Sequence, residues 1–246
     1  MKILITGASS GIGAELARQY ASFENELVLL ARREQKLQIL HDNLKDKCKN
    51  IEIIVVDVTD FKFLQEKIKT MGEVDMVILN AGVSLGHDSD KIPTIDEFKN
   101  LYDVNVLSNH AILEVLLPKF KAKGNGKIVF ISSLASLFSM PSSKVYSSSK
   151  RALNAYAEGV RYKYKKHGIK VLTILPGFIK SELTDKNKFN MPFILDTQEG
   201  VSKIKNAIEK DKEFYAFPLR FYMIIYLLNL LPSYFKEKIV TNILTS

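Results

Sequence analysis

Tyr146 and Lys150 stand four residues apart in Tyr146-Ser147-Ser148-Ser149-Lys150. On a helix, that spacing puts both on one face. An ammonium beside a phenol favours the phenolate and lowers the tyrosine pKa from its ordinary value of about 10. A tyrosine tuned in this way can give or take a proton at a reacting oxygen near neutral pH. Ser133 lies thirteen residues before Tyr146 and, with Ser132, closes an apolar run. Its hydroxyl could hold a carbonyl or alcohol oxygen beside the phenol. A Tyr and a Lys four apart also fit a chance pair on a helix surface. Tyr162 and Lys166 form a second such pair, amid Arg161, Lys163, Lys165 and His167.

A second chemical feature opens the chain. Thr6-Gly7-Ala8-Ser9-Ser10-Gly11-Ile12-Gly13 follows an apolar run and precedes a helical pattern. Glycines allow a sharp turn and let a pyrophosphate approach a helix N-terminus, where free N–H groups and the helix dipole favour anions. The spacing is G-x-x-x-G-x-G, not the G-x-G-x-x-G of the standard dinucleotide fingerprint, and a plain tight turn is the alternative. Dinucleotide folds that prefer NAD place an acid at the end of the second strand to hold the ribose 2′-hydroxyl. Here that position reads Leu29-Leu30-Ala31-Arg32-Arg33. Arginine pairs with phosphate bidentately, so NADP(H) is favoured over NAD(H), with Arg32 as the main contact and Arg33 as support. The alternative is that both arginines are solvated residues opening a helix.

These residues need a scaffold. Apolar runs at Lys2–Thr6, Glu26–Leu30, Ile51–Val56, Met76–Asn80, Lys127–Ser132, Lys170–Leu175 and Glu213–Phe217 are rich in Val, Ile and Leu. Such continuous runs suit strands buried on both faces. Helical patterns at Gly13–Phe23, Glu34–Lys47, Phe61–Thr70 and Lys144–His167 separate them. The alternation predicts a doubly wound, Rossmann-type α/β domain with a parallel sheet, spanning residues 1–246, with its ligand crevice at the carboxyl ends of the strands. At 246 residues, 46% hydrophobic and 25% charged, the chain can bury an extensive core. Its single cysteine, Cys48, and four histidines leave no disulfide framework and no Cys/His zinc set, so no metal is expected.

In their order along the chain, these motifs resemble the short-chain dehydrogenase/reductase superfamily, in its single-domain branch of about this length. The resemblance runs from Lys2 to about Ser181. It rests on Thr6-Gly7-x-x-x-Gly11-x-Gly13, Asp57-Val58, Asn80-Ala81-Gly82, Asn105, Ser133, Tyr146-x-x-x-Lys150 and Pro176-Gly177. It implies an NADP-preferring oxidoreductase acting between a carbonyl and an alcohol. Gly7, Ser9, Ser10, Gly11, Ile12 and Gly13 would form the phosphate turn. Asp57 and Val58 would hold the adenine, and Asn80, Ala81 and Gly82 would lie along the cofactor and support the central sheet. Tyr146 would be the general acid/base. Lys150 would lower its pKa and bond the nicotinamide ribose, Ser133 would orient the reacting oxygen, and Asn105 would anchor a water in the proton relay. Pro176, Gly177, Ile179 and Ser181 would border the nicotinamide. Leu79 departs from the frequent Asn-Asn-Ala-Gly, and Ser181 stands where Thr is frequent; neither removes a reacting group. The resemblance also implies a homodimer or homotetramer built on the two long helices flanking the sheet.

Residues 182–196 would form a substrate lid, with Phe189, Met191, Phe193 and Ile194 lining an apolar pocket or packing the lid onto the core. Residues 218–246 form a variable C-terminal segment. Its run Phe221–Leu231 stops at Pro232 and is too short to span a bilayer. A core helix, a partner surface and an interfacial anchor all remain open for it. Together these apolar stretches favour a hydrophobic substrate. The N-terminal apolar run is too short for a secretory signal, and a cytoplasmic location is expected. The net charge of +8 raises nucleic acid as a partner, but no recognition motif accompanies the Lys clusters, and none is expected to bind. A non-catalytic dinucleotide-binding regulator and a sugar-nucleotide epimerase or dehydratase are the competing functions. The first has no use for a proton relay, and the second needs a further substrate domain.

Overall fold

Alternate residues of the central strands belong to different cores. Ile3 and Ile5 join one apolar cluster and Leu4 the other; Leu27 and Leu29 likewise part from Val28 and Leu30. This is the period of two of a strand buried on both faces. The computed structural model describes residues 1–86, 92–139, 141–185, 187 and 191–244. Strands β1 (Lys2–Thr6), β2 (Glu26–Ala31), β3 (Asn50–Val55), β4 (Met76–Leu79), β5 (Gly126–Ile131), β6 (Ile169–Pro176) and β7 (Phe214–Phe217) form one parallel sheet of order β3-β2-β1-β4-β5-β6-β7. All seven expected strands are present, with ends moved by a residue or two.

Helices α1 (Gly11–Tyr20), α2 (Glu34–Leu44) and α7 (Thr197–Glu209) supply Leu16, Leu37 and Ile204 to the first cluster. On the opposite face, α3 (Phe61–Thr70), α5 (Ser108–Lys123) and α6 (Lys144–Tyr164) supply Leu64, Leu116 and Leu153. Between β4 and α5 stands α4 (Ile95–Tyr102), followed by a π-helical turn over Asp103–Leu107. α4, α5 and α7 were not delimited from the sequence. α4 carries a local start signal, Thr94-Ile95-Asp96-Glu97, whose Thr94 and Glu97 form a reciprocal capping box.

The strand order reverses between β1 and β4. At such a point the connections leave in opposite directions and open a crevice above the strand ends. Past β7, α8 (Leu219–Leu230) and α9 (Ser233–Leu244) close the chain. Phe221, Tyr222 and Leu228 of α8 pack around a small core of Leu134, Phe138, Leu175 and Ile225. The C-terminal apolar run is therefore a helix with one face on the protein.

Candidate active site

The first turn of the crevice is held by side chain to backbone bonds between β1 and β4. Thr6 Oγ1 accepts the backbone N–H of Asn80 at 2.9 Å and of Ala81 at 3.0 Å, and Asn80 Nδ2 donates to the Thr6 carbonyl at 3.0 Å. Gly7 follows with φ +66°, a left-handed conformation that side chains resist. A Cβ at Gly13 would collide with the Gly7 carbonyl and lie 2.6 Å from Asn80 Nδ2. Only a bare backbone lets α1 begin this close to the strand, with its N-terminus facing the crevice.

The crevice encloses about 310 Å³. Gly7, Ser9, Ser10, Gly11, Ile12, Arg32, Arg33, Asp57 and Val58 line one end. Tyr146, Lys150 and Gly82 line the other, Asn80 and Ala81 lie against Gly7 between them, and Ser181 lies against Gly11. The structure thus brings together residues spread over most of the chain. Ala31, Val56, Val83, Val104, Ile131, Ser132, Glu182 and Leu183 complete the walls. Ala31, Val56, Ile131 and Ser132 stand at strand ends, Val83 and Val104 lie in the segment between β4 and α5, and Glu182 and Leu183 open the lid.

Six expected residues do not line the crevice: Gly13, Asn105, Ser133, Pro176, Gly177 and Ile179. Pro176 ends β6 in the core. A Cβ at Gly177 would meet Pro218 and Phe221. Ile179 is buried against Gly200 of α7 and bridges to Leu195.

Arg33, rather than Arg32, is built into the phosphate turn. Its guanidinium donates to Ser9 Oγ at 3.1 Å, Ser10 Oγ at 2.5 Å and Glu182 Oε2 at 2.6 Å. Lys36 of α2 also bonds Glu182. The bonds from Lys36 and then Arg33 hold the Glu182 carboxyl down at about 2. Arg32 is more exposed and pairs with Asp57 at 3.3 Å. Burial works to raise the Asp57 carboxyl, but bonds from Thr59 and Arg32 outweigh it and keep it below the usual range.

At the far end, α6 places Tyr146 and Lys150 on one face, with the Lys150 ammonium 5.9 Å from the Tyr146 ring centroid. Lys150 is buried and donates to the Ile131 carbonyl at 3.0 Å. Burial pushes its pKa down to about 8. Tyr146 differs from expectation. Burial raises its pKa, and a hydrogen bond with Ser133 offsets part of that rise. The dominant influence on the phenol is thus removal from water, not the neighbouring ammonium. Asn105 lies in the π-helical turn, a local widening that often marks functional sites. Its Nδ2 donates to the Val83 carbonyl at 3.0 Å and Ser149 Oγ at 3.1 Å, and its Oδ1 accepts the Val83 N–H at 2.8 Å. Both amide hydrogens are committed to protein, and its backbone carbonyl accepts from Asn109. Asn105 therefore clamps the segment after β4 to α6; lone pairs, not donors, are what it has left for a water.

Of the lid, Phe189 lies outside the described residues. Phe193 packs on Phe221, with ring centroids 6.0 Å apart, and Phe178 stacks on the same ring at 5.8 Å. Met191 accepts from Asn187, and Ile194 is half-buried.

A dinucleotide suits this donor set: a glycine turn at a helix N-terminus, two serine hydroxyls, two guanidinium groups and a buried lysine in one crevice. Comparison with known proteins gives the same direction. Residues 1–191 match the family described as short chain dehydrogenase. An "uncharacterized oxidoreductase" of Myxococcus xanthus is 33% identical over 219 residues, covering 87% of this chain and 86% of its own. The "11-beta-hydroxysteroid dehydrogenase-like 2" of Arabidopsis thaliana is 35% identical over 214 residues, covering 84% of this chain and 68% of its own. In fold, the chain is similar to a short-chain dehydrogenase from Sphingobium yanoikuyae solved in complex with NADPH. The TM-score is 0.82 at 23% identity, covering 94% of this chain and 96% of that one. A bulky-bulky ketone specific alcohol dehydrogenase from Comamonas testosteroni gives a TM-score of 0.80 at 22% identity, covering 94% and 95%.

Proposed function

The chain belongs to the short-chain dehydrogenase family, and from that premise we propose that it is an NADP(H)-dependent oxidoreductase interconverting a hydrophobic carbonyl compound and its secondary alcohol. The observation that carries this reading is one crevice lined by the phosphate turn with Arg33 and by Tyr146 and Lys150, with Ser133 hydrogen-bonded to Tyr146. When bound, the nicotinamide supplies or accepts the hydride. The rest falls to the protein. Ser9, Ser10, Gly11 and Ile12 at the α1 N-terminus would hold the pyrophosphate. Arg33, with Arg32 beside it, would take the 2′-phosphate. Asp57 and Val58 would border the adenine. Lys150 would hold the nicotinamide ribose, and Ser181 would close over the ring.

In reduction, Tyr146 gives its phenolic proton to the carbonyl oxygen as that oxygen gains negative charge; in oxidation it takes the proton back. Ser133 donates to the same oxygen and fixes its place beside Tyr146. Asn80 and Asn105 act as positioning residues. Phe178, Phe193 and Phe221, next to Gly177, offer the apolar contacts that support a hydrophobic substrate. A homo-oligomer is expected through the long helices α5 and α6.

The test is NADPH consumption over a panel of carbonyl compounds graded by chain length and polarity, with NADH as control. Tyr146→Phe is expected to bind NADPH as the wild type does and to lose reductase activity by about a hundredfold or more. Unchanged activity would refute the assigned role. A preference for small, charged carbonyls would sink the substrate class.

A further inference from the structure

α8 is apolar on two opposite faces, and only one of them is covered. Phe221, Ile225 and Leu228, spaced as one helical stripe, lie against the protein core. Met223, Tyr226, Leu227 and Leu230 repeat at the same helical spacing on the outer side and are exposed, Leu227 to 57% and Leu230 to 65%. Ile224 flanks the stripe. Past the turn at Pro232, Tyr234 and Phe235 are exposed as well, Tyr234 to 70%. A helix apolar all round belongs where both sides are dry. A cluster of large exposed apolar side chains marks a contact surface.

Charge indicates what covers it. From Leu219 to Thr241 the basic residues are Arg220, Lys236 and Lys238, and the one acid is Glu237. Among the described residues, none of these three cations is in an ion pair. Arg220 and Lys238 are exposed, while Lys236 bonds Asn229. A second copy seated on this face would bring a further net +2, three cations against one acid, to the same seam. An anionic lipid surface would match them. At twelve residues, α8 is about 18 Å long, far short of a bilayer's hydrocarbon core, so it fits the interface plane and not a span.

We propose that the outer face of α8, with Tyr234 and Phe235, docks this protein on the surface of an anionic membrane. The apolar stripe enters the headgroup boundary, the two aromatics sit at its level, and Arg220, Lys236 and Lys238 meet lipid phosphates and carboxylates. The docking stands apart from the oxidoreductase reading, because vesicle binding is measured without turnover.

The test is flotation of the full chain with vesicles of phosphatidylcholine alone or with about a third phosphatidylserine. The protein is expected to float with the anionic vesicles and stay unbound with the neutral ones. Leu227→Glu combined with Leu230→Glu, both at exposed positions, is expected to lower binding at least about tenfold with an unchanged circular dichroism spectrum. Arg220→Glu combined with Lys238→Glu is expected to do the same, and added salt to weaken the wild type. Absence of flotation with anionic vesicles, or flotation indifferent to phosphatidylserine or to both double variants, would overturn the proposal. Light scattering that shows a dimer split by Leu227→Glu and Leu230→Glu, without vesicle binding, would assign the face to a second copy instead.

Discussion

Lys150 is a cation kept in a place that disfavours cations. Unfolded, it holds its proton to about 10.5; folded, burial brings that down to about 8. Between those values the unfolded chain binds more protons, so stability rises with pH through that window. At neutral pH the fold therefore carries the full penalty of the buried ammonium. Lys150→Met is expected to stabilise the protein at neutral pH by up to about 3 kcal/mol, and calorimetric melting should show that gap closing above pH 8 toward 10.5. The same variant should lose about a hundredfold or more in turnover. A fold that tolerates such a residue at its own expense is one whose site, not its core, dictates the side chain. Tyr146 adds a second signature. With its pKa raised by burial, the phenol is protonated at neutral pH. Carbonyl reduction should then be flat through the neutral range and fall only in alkali, whereas alcohol oxidation should climb with pH. Initial rates in both directions against pH check this, and an oxidation rate independent of pH would remove Tyr146 as the base.

At the scale of elements, the N-terminus of α2 and the segment after β6 are joined across the crevice by Glu182, Arg33 and Lys36. Arg33→Ala removes a guanidinium already oriented by Ser9 and Ser10. A charge-assisted bond to phosphate is worth about 1.5–3 kcal/mol, so NADPH should bind about tenfold or more weakly while NADH changes little; equilibrium fluorescence titration separates the two. Glu182 works in the opposite pH sense to Lys150. Its depressed pKa makes the latch's contribution complete above its ordinary value of 4.5, and that contribution is lost as pH falls toward about 2. Since all three side chains are well exposed to solvent, Glu182→Gln should cost no more than about 1 kcal/mol. Denaturant melts of mutant and wild type should converge in acid. Arg33 was legible as a phosphate contact, but its latch to Glu182 was not: the two are 149 residues apart, and no local spacing announces such a pair. The central strands were legible because burial on both faces leaves unbroken Val/Ile/Leu runs; the edge strands β3 and β7 are only partly buried. The α6 motif was legible because its chemistry is written at helical spacing. α5 was not, because Pro118 interrupts it and its buried residues surround the helix without forming one stripe. α7 does carry a stripe, with Val201, Ile204 and Ile208 at helical spacing.

Seen whole, the molecule is a sheet folded about one crossing point, with its chemistry above that point. The crevice draws Gly7, Arg32 and Asp57 from the ends of β1, β2 and β3, and Asn80, Ser132 and Ser181 from beyond β4, β5 and β6. At this rim the two halves are tied by the β1–β4 ladder with its Thr6–Asn80 bonds and, across the crevice, by the solvent-exposed Glu182 latch. Anything long enough to lie along the crevice therefore acts as a brace across the seam, and mass action turns that brace into stability. A ligand at a hundred times its dissociation constant adds about 2.7 kcal/mol to the folded state. The melting temperature should accordingly rise with the logarithm of dinucleotide concentration, and amide exchange at the ends of β1 and β4 should slow in step. In a cell, the folded fraction of this protein would then follow the size of the nucleotide pool.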